Sequence, residues 1–135
     1  MRIVVDASVA LKWVLNEPDS DTALALRAHE LIAPALWLAE AANALWRVER
    51  VGQLTAGEAI GLLGDLASAP IAAFPIDRYL AASLRLGMEL RHPVYDCLYL
   101  ALAIQQGTHV VTADRRFAAL GDRAEMAGRV RLLGS

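Results

Sequence analysis

Four carboxylates carry the chemistry this sequence offers: Asp6, Glu40, Asp96 and Asp114. Three sit inside apolar runs: Ile3-Val4-Val5-Asp6, Leu36-Trp37-Leu38-Ala39-Glu40-Ala41-Ala42 and Val94-Tyr95-Asp96-Cys97-Leu98-Tyr99-Leu100. The fourth follows Val110-Val111-Thr112-Ala113. A buried carboxylate is costly unless its charge is compensated. One such acid could be rescued by an arginine or a helix end. Four in similar settings point to one shared compensator, and a divalent cation is the simplest. Oxygen ligands without His or Cys at metal spacing suit Mg²⁺ or Mn²⁺ better than zinc. Such ions can activate a water and stabilise a leaving oxygen in phosphodiester cleavage.

Local roles compete with that reading. Asp114 could simply cap the helix after it. Asp6 could be a strand-end residue accepting backbone N–H bonds, and Ser8 could be an N-cap alone. Glu40 and Asp96 are harder to dismiss, because neither has a cation at i+3 or i+4. Asn43 follows Glu40 on the same helical face; Tyr99 and Leu100 hold those positions for Asp96. Arg115 and Arg116 could contact phosphates beside the acids or merely open a solvated helix, and Lys12, the only lysine, is similar. His92, before Pro93 near the proposed site, could touch substrate but reads rather as a loop histidine, with His29 and His109 on the surface or at a strand edge. Cys97, Trp13, Trp37 and Trp46 read as packing residues.

The elements that must position these groups follow from periodicity. Short β-type runs alternate with longer helical ones, the signature of βαβ units and a parallel sheet. The expected strands are Arg2–Val5, Leu31–Ala33, Ile71–Phe74, His109–Thr112 and Arg129–Leu132. Helices are expected at Val9–Leu15, Thr22–Glu30 and Leu36–Val51. Another follows the capping box Thr55-Ala56-Gly57-Glu58. Further helices run from a cap at Asp77 to Arg91, from Pro93 to Gly107, and briefly after Asp114. In a parallel sheet, ligands bind beyond the carboxyl ends of the strands. Right-handed crossovers bring helix N-termini to that same end. Asp6 and Asp114 end strands, while Glu40 and Asp96 lie in early helical turns. All four acids are therefore expected on one rim.

Composition narrows the class. Hydrophobic residues make up 56% and charged residues 21% of 135 residues, which suits one folded domain. The most apolar stretch, Cys97 to Ala113, is broken by Gln105, Gln106, Gly107, Thr108 and His109, so no membrane span is expected. A single cysteine excludes an intrachain disulfide and fits a reducing, cytoplasmic setting. Net charge is −2, so a nucleic-acid ligand needs a local basic patch rather than a global field.

The motifs also match a known pattern. Val4-Val5-Asp6-Ala7-Ser8-Val9-Ala10-Leu11-Lys12-Trp13 resembles the opening of a PIN domain, and Glu40-Ala41-Ala42-Asn43-Ala44-Leu45 its E-x-x-N helix. Tyr95-Asp96-Cys97-Leu98-Tyr99-Leu100-Ala101-Leu102-Ala103 and Val111-Thr112-Ala113-Asp114-Arg115-Arg116-Phe117 resemble its third and fourth acidic motifs. The wording is most similar to VapC-type toxins of type II toxin–antitoxin systems. That resemblance implies a three-layer α/β/α fold with a central parallel sheet of about five strands, filling one domain over residues 1–135. It implies a Mg²⁺- or Mn²⁺-dependent endoribonuclease whose metal site is Asp6, Glu40, Asp96 and Asp114, with Asp6 and Asp96 central. Ser8, Asn43 and Thr112 would support the site by hydrogen bonding. It also implies a homodimer and a VapB-like antitoxin whose tail covers the acids with a basic side chain. Where some relatives carry a further acid, this chain has Arg115-Arg116-Phe117, so one bound cation is expected rather than two.

Two other readings compete. Receiver domains and haloacid-dehalogenase-like phosphatases also hold Mg²⁺ at strand ends. Receivers need an acidic pair after strand one and a distal lysine. The phosphatases need Asp-x-Asp, and this chain has Asp6-Ala7-Ser8. A non-catalytic PIN-like domain whose acids only grip a basic tail is the remaining alternative.

Overall fold

In the computed structural model, which describes residues 1–135, five strands form one parallel sheet in the order β3-β2-β1-β4-β5. The strands are β1 (Arg2–Val5), β2 (Glu30–Pro34), β3 (Ile71–Phe74), β4 (Val110–Thr112) and β5 (Val130–Leu132). Seven α-helices accompany them: α1 (Ala7–Ala10), α2 (Ser20–Ala25), α3 (Trp37–Arg50), α4 (Ala56–Ala67), α5 (Leu80–Leu90), α6 (Val94–Gln105) and α7 (Arg115–Ala118). The α/β class and the parallel sheet expected from the sequence are therefore present.

Strand alternation divides the core. Val4, Ile32 and Val110 face one side and join Trp37, Leu45, Leu90 and most of α6 in a cluster of 22 buried residues. Ile3, Val5, Leu31 and Val111 face the other side and meet Val9 and Ala23 in a cluster of 6. Burial on both faces explains the continuous apolar character of β1. Helix α6 is buried at every position from Cys97 to Ala103 because it lies against β1, β2, β4 and α5. A helix enclosed on all sides carries no amphipathic stripe. None of the helices is long and apolar enough to cross a membrane.

Several boundaries differ from expectation for physical reasons. The helix expected over Thr22–Glu30 stops at Ala25, passes through a 3₁₀ turn at Leu26–Ala28, and gives way to β2 at Glu30. Pairing of Arg2 with Glu30 in the sheet, reinforced by their 3.0 Å ion pair, outweighs helical propensity there. The first helix begins at Ala7 rather than Val9 and tightens into a 3₁₀ turn at Leu11–Trp13. Asp77 caps nothing with its side chain; a 3₁₀ turn at Asp77–Tyr79 precedes α5. The Thr55 capping box is formed in full, Thr55 accepting from the Glu58 amide and Glu58 from the Thr55 amide.

Candidate active site

The rim is assembled by sheet register. In the parallel pair β1–β4, Val5 stands beside Val111, and the Asp6 amide donates to the Val111 carbonyl at 3.0 Å. This puts the Asp6 side chain next to Thr112, a residue 106 positions away. The Thr112 hydroxyl donates to Asp6 Oδ2 at 2.7 Å, and the Ser8 hydroxyl donates to the same oxygen at 2.6 Å. Each hydroxyl then accepts a backbone amide: Ser8 from Ala113 and Thr112 from Asp114, both at 3.0 Å. The two hydroxyl oxygens are 3.3 Å apart, but their single protons are already directed at Asp6. Asp6 is buried, and this closed ring ties the ends of β1 and β4 together.

The other acids come from helices. Glu40 lies in the first turn of α3, where its Oε1 accepts the Tyr99 hydroxyl of α6 at 2.6 Å. Tyr99 is fully buried, so this bond fixes α3 against α6. Asp96 lies in the first turn of α6, with His92 Nε2 at 2.6 Å from its Oδ2. Asp114 is the N-cap of α7; its Oδ1 accepts the amides of Arg116 at 2.9 Å and Phe117 at 3.4 Å. Capping, one of the local roles open at Asp114, is thus filled. A common pattern emerges. Each carboxylate has one oxygen engaged in these bonds and one that makes no such bond.

Electrostatics link the set. Burial pushes Asp6 above the usual carboxylate range against the pull of Ser8 and Thr112, and the charge of Asp96 pushes it further. Burial raises Glu40 to about 7; Tyr99 opposes this, while the charges of Asp6 and Asp96 add to it. Asp96 is raised by burial, lowered by His92, raised by Asp114 and lowered by Arg116. Asp6, Glu40 and Asp96 therefore repel one another, and Asp96 also feels Asp114. Charge coupling reaches farther than coordination distance: no three His, Cys, Asp or Glu side chains already converge as a ligand set. Engagement of one cation by several of the acids thus requires side-chain rotation. The donor chemistry fits a hard divalent ion. The groups are carboxylates in mutual repulsion, no Lys or Arg is bonded to them, and each has an oxygen to spare.

Other candidates divide. Ser8 and Thr112 bond the site directly. Asn43 is exposed and makes no side-chain hydrogen bond, and Arg115 and Arg116 are exposed at the start of α7. Arg116 is near enough to act on Asp96. Lys12 is already paired: its ammonium, 12% exposed, meets Glu17 Oε2 and Asp19 Oδ1, both at 2.9 Å. Two carboxylates five and seven residues downstream satisfy it first. His109 lies at the edge of β4, the second of its two expected settings, and is buried, which depresses its pKa. His92 is no plain loop residue: its side chain is 6% exposed and bonded to Asp96. Its place four residues before Asp96 is the sequence signal for the pair. Tyr99 was visible only as an apolar neighbour of Asp96, since nothing local signals a partner 59 residues away.

The clefts of about 440 and 460 Å³ elsewhere on the molecule contain none of the four acids. The PIN domain family model matches residues 3–123. Ribonuclease VapC3 of Mycobacterium tuberculosis is 30% identical over 129 residues, covering 94% of this chain and 93% of that protein. Ribonuclease VapC3 of Pyrobaculum aerophilum is 34% identical over 123 residues, covering 87% and 93%. The crystal structure of PAE2754 from Pyrobaculum aerophilum superposes with a TM-score of 0.74 at 26% identity, over 97% of this chain and 83% of that one. Mycobacterium tuberculosis VapC20, described as a sarcin-ricin loop cleaving toxin, superposes with a TM-score of 0.64 over 88% of this chain and 95% of its own. At 17% identity, that second likeness bears on the fold alone. Fold, ordered acidic motifs and near full-length relatives agree, and the chain belongs to the PIN-domain family, in its VapC branch.

Proposed function

We propose that this chain is an endoribonuclease, the toxin half of a toxin–antitoxin pair, that hydrolyses RNA phosphodiester bonds with Mg²⁺ or Mn²⁺. Asp6, Glu40, Asp96 and Asp114 would hold the ion. The observation that carries this reading is the mutual repulsion of Asp6, Glu40 and Asp96, all raised by burial and none bonded to a Lys or Arg. When bound, the cation would polarise the scissile phosphate and lower the pKa of a water at the site.

The chain's own groups prepare for that chemistry. Ser8 and Thr112 anchor one oxygen of Asp6, Tyr99 anchors one oxygen of Glu40, and the α7 amides anchor one oxygen of Asp114. These anchors restrict the rotamers open to each acid, and the remaining rotation onto a shared cation accompanies binding. Arg115 and Arg116, exposed beside Asp114, offer guanidinium groups to the phosphates flanking the cleaved bond. A VapB-like antitoxin is the expected partner, its basic tail offering a positive charge to the same acids.

We also infer a homodimer. Leu80, Leu84 and Met88 repeat at i, i+4 and i+8 on α5 and are 45%, 51% and 60% exposed. Arg85 and Glu89 flank them, so the face is charge-complementary to a copy of itself.

The deciding assay incubates the purified chain with a mixed RNA pool and Mn²⁺, against an EDTA control and the Asp96→Asn variant. Cleavage in Mn²⁺ that disappears in both controls is expected. Cation binding without cleavage of any RNA would favour a non-catalytic binder. Cleavage by Asp96→Asn at the wild-type rate would overturn the site assignment.

A further inference from the structure

We propose that His92 is a positioning residue for the reaction: it orients Asp96 so that one carboxylate oxygen is committed to the protein and the other is presented to the cation. The inference rests on the cation-dependent reading above and adds a residue to it.

The geometry is specific. His92 Nε2 lies 2.6 Å from Asp96 Oδ2, and the imidazole is almost wholly buried. A carboxylate ligating a cation is ionised and only accepts, so Nε2 must carry the proton in that state. The ring is itself held from several directions. It packs against Phe117 of α7 at 5.8 Å between centroids, and Phe117 in turn meets Tyr99 edge-on at 6.4 Å. The aromatic stack His92–Phe117–Tyr99 thus connects the partner of Asp96, the helix capped by Asp114, and the partner of Glu40.

The backbone is fixed as well. Arg91 adopts the left-handed conformation, φ 54°, to end α5, and the His92 amide donates to the Gly87 carbonyl at 3.1 Å. A Cβ on Gly87 would stand 2.9 Å from the His92 carbonyl oxygen, so the glycine lets this segment lie against α5. The placement of His92 is therefore built by α5, α6 and α7 together. A side chain held from so many sides, with one bond directed at a site acid, acts through that acid.

The test measures Mn²⁺ binding calorimetrically to the purified chain without RNA, alongside kcat and KM for cleavage. His92→Phe keeps the ring against Phe117 but removes the donor; His92→Gln restores an amide nitrogen near the position of Nε2. His92→Phe should weaken Mn²⁺ binding about 10- to 100-fold and lower kcat, with the RNA KM changed less than ~2-fold. His92→Gln should recover most of the loss, and both variants should melt cooperatively. Unchanged Mn²⁺ affinity in His92→Phe, when Asp96→Asn abolishes binding, would overturn the positioning role and leave the cation site standing. So would a His92→Gln variant as impaired as His92→Phe at equal thermal stability. A wild-type chain that binds no Mn²⁺ would overturn both readings.

Discussion

Thr112→Val tests the core of the site without touching an acid. Thr112 is fully buried at the end of β4, and valine matches its shape, so no cavity is opened. What disappears is the hydroxyl. Its 2.7 Å bond to Asp6 Oδ2 is a hydrogen bond to a charged group, a class that contributes about 1.5–3 kcal/mol. The Asp114 amide also loses its acceptor, but Asp114 is exposed and water can replace it. Ser8 remains on Asp6, so the carboxylate is not orphaned. The expected loss is therefore about 2 kcal/mol in EDTA at a pH where Asp6 is ionised, equivalent to about 6–10 °C in Tm for a domain of this size. The loss should shrink in acid, where Asp6 is protonated and the bond is between neutral groups. Urea unfolding of wild type and variant at several pH values measures it. A Thr112→Val protein as stable as wild type at every pH from acid to alkaline would refute the claim that this hydroxyl compensates the buried charge.

Three further outcomes follow from the same structure. Burial pushes the Glu40 carboxyl from its ordinary 4.5 up to about 7, so the folded state holds the proton more tightly. Its contribution favours folding below about pH 4.5 and is lost as pH rises through 7. In EDTA, isosteric Glu40→Gln should gain stability relative to wild type across that window, and a pH-independent difference would refute the shift. Lys12→Met should lower unfolding stability by about 0.5–1 kcal/mol through loss of the Glu17 and Asp19 pairs. It should not alter the RNA KM; a raised KM would return Lys12 to the substrate surface. Leu84→Glu should convert a dimer to a monomer by light scattering while Mn²⁺ binding persists, whereas a wild-type chain already monomeric at high concentration would remove the dimer inference.

Each acid was legible from local pattern. Asp6 ends a β-branched run, Asp114 follows another, and Glu40 and Asp96 open helices, so a parallel sheet had to bring them to one end. The E-x-x-N spacing also singled out Asn43, but the residues that hold Glu40 and Asp96 proved to be Tyr99 and His92. The pairing of Lys12 was not legible, because a lone cation in sequence carries no sign of the carboxylates that will fold back onto it. Helix length was overestimated before β2 because the pairing of Glu30 with Arg2 is invisible to a window of nearby residues.

The sequence by itself determined the alternation of strands and helices, the apolar setting of the acids and the end of the sheet at which they lie. These depend on interactions within a few residues, where side-chain periodicity and capping dominate. Only the tertiary structure decided how each carboxylate is held. Strand register brings Thr112 to Asp6, the packing of α3 on α6 brings Tyr99 to Glu40, and a left-handed turn over Gly87 turns His92 onto Asp96. Those contacts join residues from different elements, or across a turn whose shape a third element sets, and burial then makes each one a strong determinant of charge.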